Sequence, residues 1–122
     1  MGYTIDKGSD HQRINVKVNC ILDQKIRKKI LTHVAYFLNV FGYQRVQLDL
    51  TESLFKKGES LIGALELVRH MKAIGISPQT KLAFIFSEAE DHRNYFEDVA
   101  RISGFSIRYF KDQRSASKWL NK

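Results

Sequence analysis

Two hydrophobic periods divide this chain. From Arg13 to Cys20, Ile14, Val16, Val18 and Cys20 alternate with Asn15, Lys17 and Asn19. A period of two marks a half-buried strand. Tyr3 to Asp6 is a short strand before it, with Gly8, Ser9 and Asp10 as the turn of a hairpin. From Asp23, a predicted N-cap, the spacing changes to three and four: Ile26, Ile30, Leu31, Val34, Phe37, Leu38 and Phe41. That is an amphipathic helix, ended by Gly42.

The alternation repeats down the chain. Arg45 to Leu50 reads as a strand, with Val46, Leu48 and Leu50 inward and Gln47 and Asp49 outward. A polar loop from Thr51 to Gly58 follows. A helix is predicted from Glu59 to Ile74, its core stripe being Leu61, Ile62, Leu65, Val68 and Met71. Leu82 to Phe86 is a continuous apolar run, as a central strand requires. A helix starting among Glu88, Glu90 and Asp91 turns Phe96, Val99 and Ala100 inward and stops at Gly104. Phe105 to Phe110 is a last strand, and Asp112 caps a helix carrying Ala116, Trp119 and Leu120. The predicted order is ββαβαβαβα. Strands separated by helices imply parallel pairing. The alternating strands imply helices mainly on one face of the sheet, with much of the other face open.

At 122 residues the chain is expected to form one domain, 1–122. Its 43% apolar and 27% charged residues are ordinary for a globular protein. A lone cysteine, Cys20, excludes an internal disulfide and fits a reducing compartment, and the N-terminus has no signal pattern, so the cytoplasm is expected. The formal charge of +7 invites a nucleic-acid reading. The basic residues are scattered, however, and no recognition helix or zinc-finger spacing is present, so nucleic acid is not an expected partner. The densest group is Lys25, Arg27, Lys28 and Lys29 at a helix start, a solvated face that could meet an acidic partner or an anionic surface.

No catalytic constellation emerges. His11, His33, His70 and His92 fall in separate elements without zinc-ligand spacing, and Glu88, Glu90, Asp91 and His92 read as a solvated helix start. Cys20 reads as a buried, inert thiol. No phosphate loop or nucleophile elbow is present, and neither metal nor cofactor is expected.

One set of residues carries a resemblance. Asn94-x-Phe96-x-x-Val99-Ala100, Gly104-Phe105, Arg108-Tyr109-Phe110 and Ala116-x-x-Trp119-Leu120 resemble the C-terminal part of the STAS/SpoIIAA-like family, grouped with SEC14-like lipid binders. The resemblance covers about a third of the chain and consists of packing residues, so it speaks first to fold. It implies a SpoIIAA-like, STAS-type βα superhelix: an initial hairpin, then βαβαβα on a mostly parallel sheet. In STAS proteins that regulate sigma factors, a serine at the helix start after the 45–50 strand is phosphorylated, within a pattern close to Asp-Ser-Ser-Gly. This chain has Gly58-Glu59-Ser60-Leu61 there, which makes Ser60 the matching hydroxyl. Helix capping by Ser60, Thr51 or Ser53 is the alternative. Asp49, at the end of a strand, also resembles a receiver-domain phospho-acceptor, but the acidic pair that would hold magnesium is reduced to Asp23.

Ligands of parallel α/β sheets collect beyond strand C-termini. The expected partner-docking or phosphorylation region is therefore Asp49, Thr51, Ser53, Gly58 and Ser60. The expected function is a non-enzymatic, cytoplasmic regulatory module that binds another protein. The alternative is a carrier of a lipid or other small apolar ligand, with Tyr36, Phe55, Tyr95 and Tyr109 lining a groove. Homodimerisation through an exposed helix or edge strand stays open.

Overall fold

The structure, a computed structural model, describes residues 2–8, 12–55, 61–86 and 95–122. The elements within them are β1 (Tyr3–Lys7), β2 (Ile14–Val18), β3 (Ile21–Leu22), α1 (Gln24–Phe41), β4 (Arg45–Asp49), β5 (Leu54–Phe55), α2 (Leu61–Ala73), β6 (Lys81–Ile85), α3 (Tyr95–Ile102), β7 (Ser106–Phe110) and α4 (Gln113–Leu120).

Five strands form one sheet in the order β1-β2-β4-β6-β7. β1 and β2 are the antiparallel hairpin, pairing Tyr3 with Val18 and Lys7 with Ile14. Every other neighbour is parallel: Val16 lies beside Leu48, Leu48 beside Phe84, and Phe84 beside Tyr109. The fold class is thus the mixed α/β arrangement that the periodicity implies. A second, two-residue parallel pairing was not anticipated. Ile21 and Leu22 of β3 pair with Leu54 and Phe55 of β5, within the segment read from sequence as a polar loop. Two residues are too few to display a period.

Helices α1, α2 and α3 share one face of the sheet. Val16, Val46, Leu48, Leu82, Phe84 and Ile107 from the strands join Ile30, Val34, Leu67, Met71, Phe96 and Ala100 from the helices in the main core. α4 packs on the opposite face, where Ala116, Leu120 and Trp119 meet Ala83, Ile85 and Phe110. The expected open face is therefore capped over its β4–β7 half. Gln47 does point to that side, but it lies buried beneath α4, accepting a 3.4 Å hydrogen bond from Ser117 Oγ. Ser117 Oγ in turn accepts one of 3.1 Å from Arg13 Nη1.

The helix ends follow their sequence signals. The Asp23 carboxylate accepts from Ile26 N at 2.8 Å, and Asp112 accepts from Ser115 N at 2.7 Å. At Gly42, φ is 71°, and its N–H closes α1 onto the Leu38 carbonyl at 2.8 Å. A side chain is strained in that left-handed conformation, which suits glycine.

Helix α2 keeps Val68 and Met71 of its expected core stripe and overturns the rest. Leu61, Ile62 and Leu65 are 51%, 70% and 48% exposed, while Ala64, Leu67, Val68 and Met71 are buried. The helix is rotated so that the face opposite its charged residues meets the sheet. Ile62 sits two turns before Arg69 on the solvent side.

Candidate functional site

The candidate site begins where β4 ends. Leu50 N donates to the Ile85 carbonyl at 2.8 Å, extending the β4–β6 ladder by one residue. The chain then turns sharply. Asp49 Oδ1 accepts from Thr51 N at 3.0 Å and from Thr51 Oγ1 at 2.6 Å, so the carboxylate and hydroxyl are spent on the turn. Ser53 is buried, and its Oγ donates to the Val18 carbonyl at 3.0 Å, tying the loop to the end of β2. Lys17 and Glu52 add a 3.6 Å surface ion pair, which contributes little in solvent. Asp49, Thr51 and Ser53 thus come together as a braced platform beyond the strand C-termini. Gly58 and Ser60, the other two residues of the expected region, lie outside the described residues, as do Glu88, Glu90, Asp91 and His92.

The platform leads into the exposed end of α2. That helix lies between α1 and α3. Its α1 side is held by Gln24 Nε2 donating to the Gly63 carbonyl at 2.9 Å and by Lys28 approaching Glu66 at 4.0 Å. His70 Nε2 lies 3.1 Å from the Lys28 carbonyl and 2.9 Å from Thr32 Oγ1. A carbonyl only accepts, so Nε2 carries a proton and His70 serves the helix contact. On α3, Tyr95 and Ile102 are also exposed, Ile102 at 87%.

The four basic residues at the start of α1 diverge. Lys25 and Lys29 are exposed, Lys28 turns toward α2, and Arg27 lines an apolar cavity with Leu22, Leu50, Leu67, Phe86 and Tyr109. The volume of that cavity is about 40 Å³. An engineered cavity of about 150 Å³ is what admits benzene, so this space does not hold a lipid chain. Of the expected groove aromatics, Tyr36 is exposed on the outer face of α1, away from Tyr109, which lines the cavity; Tyr95 begins α3 and Phe55 falls in β5.

The remaining reactive groups serve structure. Cys20 is half-buried just beyond β2 rather than within it. Burial, with a smaller contribution from nearby Cys20, raises the Tyr3 hydroxyl above its ordinary range, and this hydroxyl shares a hydrogen bond of 2.6 Å with His33 Nδ1. Among the described residues, no three His, Cys, Asp or Glu side chains are grouped so as to hold a metal ion. No described helix is long and apolar enough to cross a membrane.

The apolar site residues Leu61, Ile62 and Leu65 were hidden in the sequence by a crowded pattern. The usable signal was the polar arc of Glu66, Arg69 and Lys72. The face opposite that arc is Ala64, Leu67, Val68 and Met71.

No protein-family model matches the chain, and no curated protein matches it. Solved structures do. One is an uncharacterized protein of the DUF3478 family with a SpoIIAA-like fold, from Shewanella loihica PV-4. It is 17% identical with a TM-score of 0.55, over 97% of this chain and 91% of that one. Another is the anti-sigma factor antagonist SpoIIAA in its unphosphorylated form. It is 8% identical with a TM-score of 0.50, over 96% of this chain and 95% of that one. Together with the hairpin, the mostly parallel sheet and three helices on one face, these likenesses show that the chain has a SpoIIAA-like fold.

Proposed function

We propose that this protein is a non-enzymatic regulatory module of the cytoplasm that binds another protein. Its docking surface is the platform of Asp49, Thr51 and Ser53 together with the N-terminal half of α2. The observation that carries this reading is the exposure of Leu61, Ile62 and Leu65 on the first turns of a helix whose other face is fully packed. Large apolar side chains grouped in water are the usual core of a protein interface. The platform of Asp49, Thr51 and Ser53 is held by its own hydrogen bonds, which suits a docking surface better than a reactive site. One structural neighbour is an anti-sigma factor antagonist, which supports a protein-directed role for this fold.

Photo-crosslinking tests the reading. A photoreactive amino acid at position 62, in the cells that produce the protein, is expected to trap one dominant partner, identifiable by mass spectrometry. The same group at Thr4, on the opposite face of β1, should not trap it. Equal trapping from both positions, or trapping from Thr4 alone, would refute the proposal.

A further inference from the structure

A different surface has its own chemistry. On α1, Lys25, Lys29, Tyr36 and Val40 are all exposed. At about 100° per residue they fall within an arc of roughly 60°, one pair near the helix start and the other two turns further on. The flank next to this arc, toward α2, is occupied by Gln24, Lys28 and Thr32. The outer stripe is divided by chemistry. Its first half is basic. Its second half is apolar, with Tyr36 64% and Val40 56% exposed, while Phe41 at the helix end lies about 100° round the helix from Val40. Phe37 and Phe41 stack with ring centroids 6.0 Å apart, and Phe41 meets Tyr43 at 5.5 Å. Lys7 Nζ of the edge strand lies 5.4 Å from the Phe41 ring, adding a cation at the apolar end. α1 contains no acidic residue.

We infer that this outer face of α1 rests on an anionic lipid surface. The charge pattern selects that occupant. A helix free of acids can lie along a negative plane without local repulsion at any point. The exposed cations are lysines, point charges suited to diffuse attraction to headgroups rather than to the two-pronged pairing that arginine gives a protein carboxylate. Tyr36 and Val40 supply the apolar contact of an interfacial helix, and tyrosine keeps its hydroxyl at headgroup level. The stripe is convex, whereas a groove would be needed to enclose a peptide. The opposite face of α1 stays packed on the sheet, so the protein binds at the surface and does not insert.

Vesicle co-sedimentation tests this with the whole protein. Vesicles of phosphatidylcholine containing about 30% phosphatidylglycerol should retain the protein, pure phosphatidylcholine should not, and added salt should release it. Lys25→Glu with Lys29→Glu should weaken binding at least tenfold, on the order of a few charge contacts. Acid at a helix start favours the helix dipole, so loss of binding there is not loss of fold. Tyr36→Ser with Val40→Ser should weaken binding several-fold with the thermal midpoint nearly unchanged. Ile62→Ser, on the other surface, should bind as the parent does. Equal binding to neutral and anionic vesicles, or full binding by both double variants, would overturn the inference. So would a parent dimer that Tyr36→Ser with Val40→Ser turns into a monomer while vesicle binding is unchanged, since a second copy would then be what covers the stripe.

Discussion

Helices α1 and α2 both follow a strand of the same parallel sheet and lie side by side on the same face, yet their hydrophobic patterns mean different things. Of the α1 residues that repeat at three and four, Ile30, Leu31, Val34 and Leu38 are buried, Ile26 and Phe37 are half-buried, and only Phe41, at the helix end, is exposed. In α2 the same rule selects Leu61, Ile62, Leu65, Val68 and Met71; the last two are buried, and the first three face solvent. α1 keeps its buried stripe as far as Leu38 and exposes apolar residues, Tyr36, Val40 and Phe41, only toward its C-terminal end. α2 has more than one face can bury, and its charged residues decide which face is surplus. A surplus apolar face on a well-packed helix is what the proposed docking surface rests on, because the fold itself gains nothing from it.

Substitutions in α2 offer the sharpest way to break this contrast. Leu67→Ala removes a buried side chain and should cost about 2–5 kcal/mol, read as a shift in urea midpoint. Leu65→Ala, two positions earlier in the same helix, should change stability by no more than about 0.5 kcal/mol. Equal effects would mean that α2 has no division of faces. At the start of α1, Asp23→Ala removes the N-cap bond to Ile26 and should cost about 1 kcal/mol. Asp23→Asn should recover most of it, since the amide oxygen still accepts.

The smallest effect belongs to α4, on the other side of the sheet. The backbone N–H of Ser115, with its side chain, lowers the Asp112 pKa below the ordinary carboxylate value of 3.8. A lowered folded pKa means that the contribution of the cap is present above that ordinary value and is lost as pH falls through the lowered one. Trp119 fluorescence should therefore report loosening of α4 at acid pH, and Asp112→Asn should lessen that dependence while leaving neutral-pH behaviour close to the parent.

Much of the fold was legible because it is written in repeating local signals. The alternation in β2, the run at 82–86, the caps Asp23 and Asp112 and the stop at Gly42 each act within a few residues. What escaped was tertiary. Gln47 reads as a solvent-facing residue until α4 folds back over it with Ser117. β3 and β5 exist only because the ends of two strands bring them together. The candidate site was half legible. Its position beyond the strand ends follows from topology, and Asp49, Thr51 and Ser53 are indeed gathered there, although hydrogen bonding turns them to structural use. Leu61, Ile62 and Leu65 read as core in the sequence, because periodicity counts hydrophobic positions without knowing how many the sheet can cover.

A single variant brings the two halves of the account together. Leu65→Asp places a charge in the centre of the exposed α2 face, and both its urea midpoint and its affinity for the partner trapped at position 62 can be measured. The account predicts an almost unchanged midpoint and an affinity loss of at least about tenfold, because a charge opposite a desolvated apolar contact is costly. A midpoint that falls as it does for a core residue, with affinity retained, would contradict it.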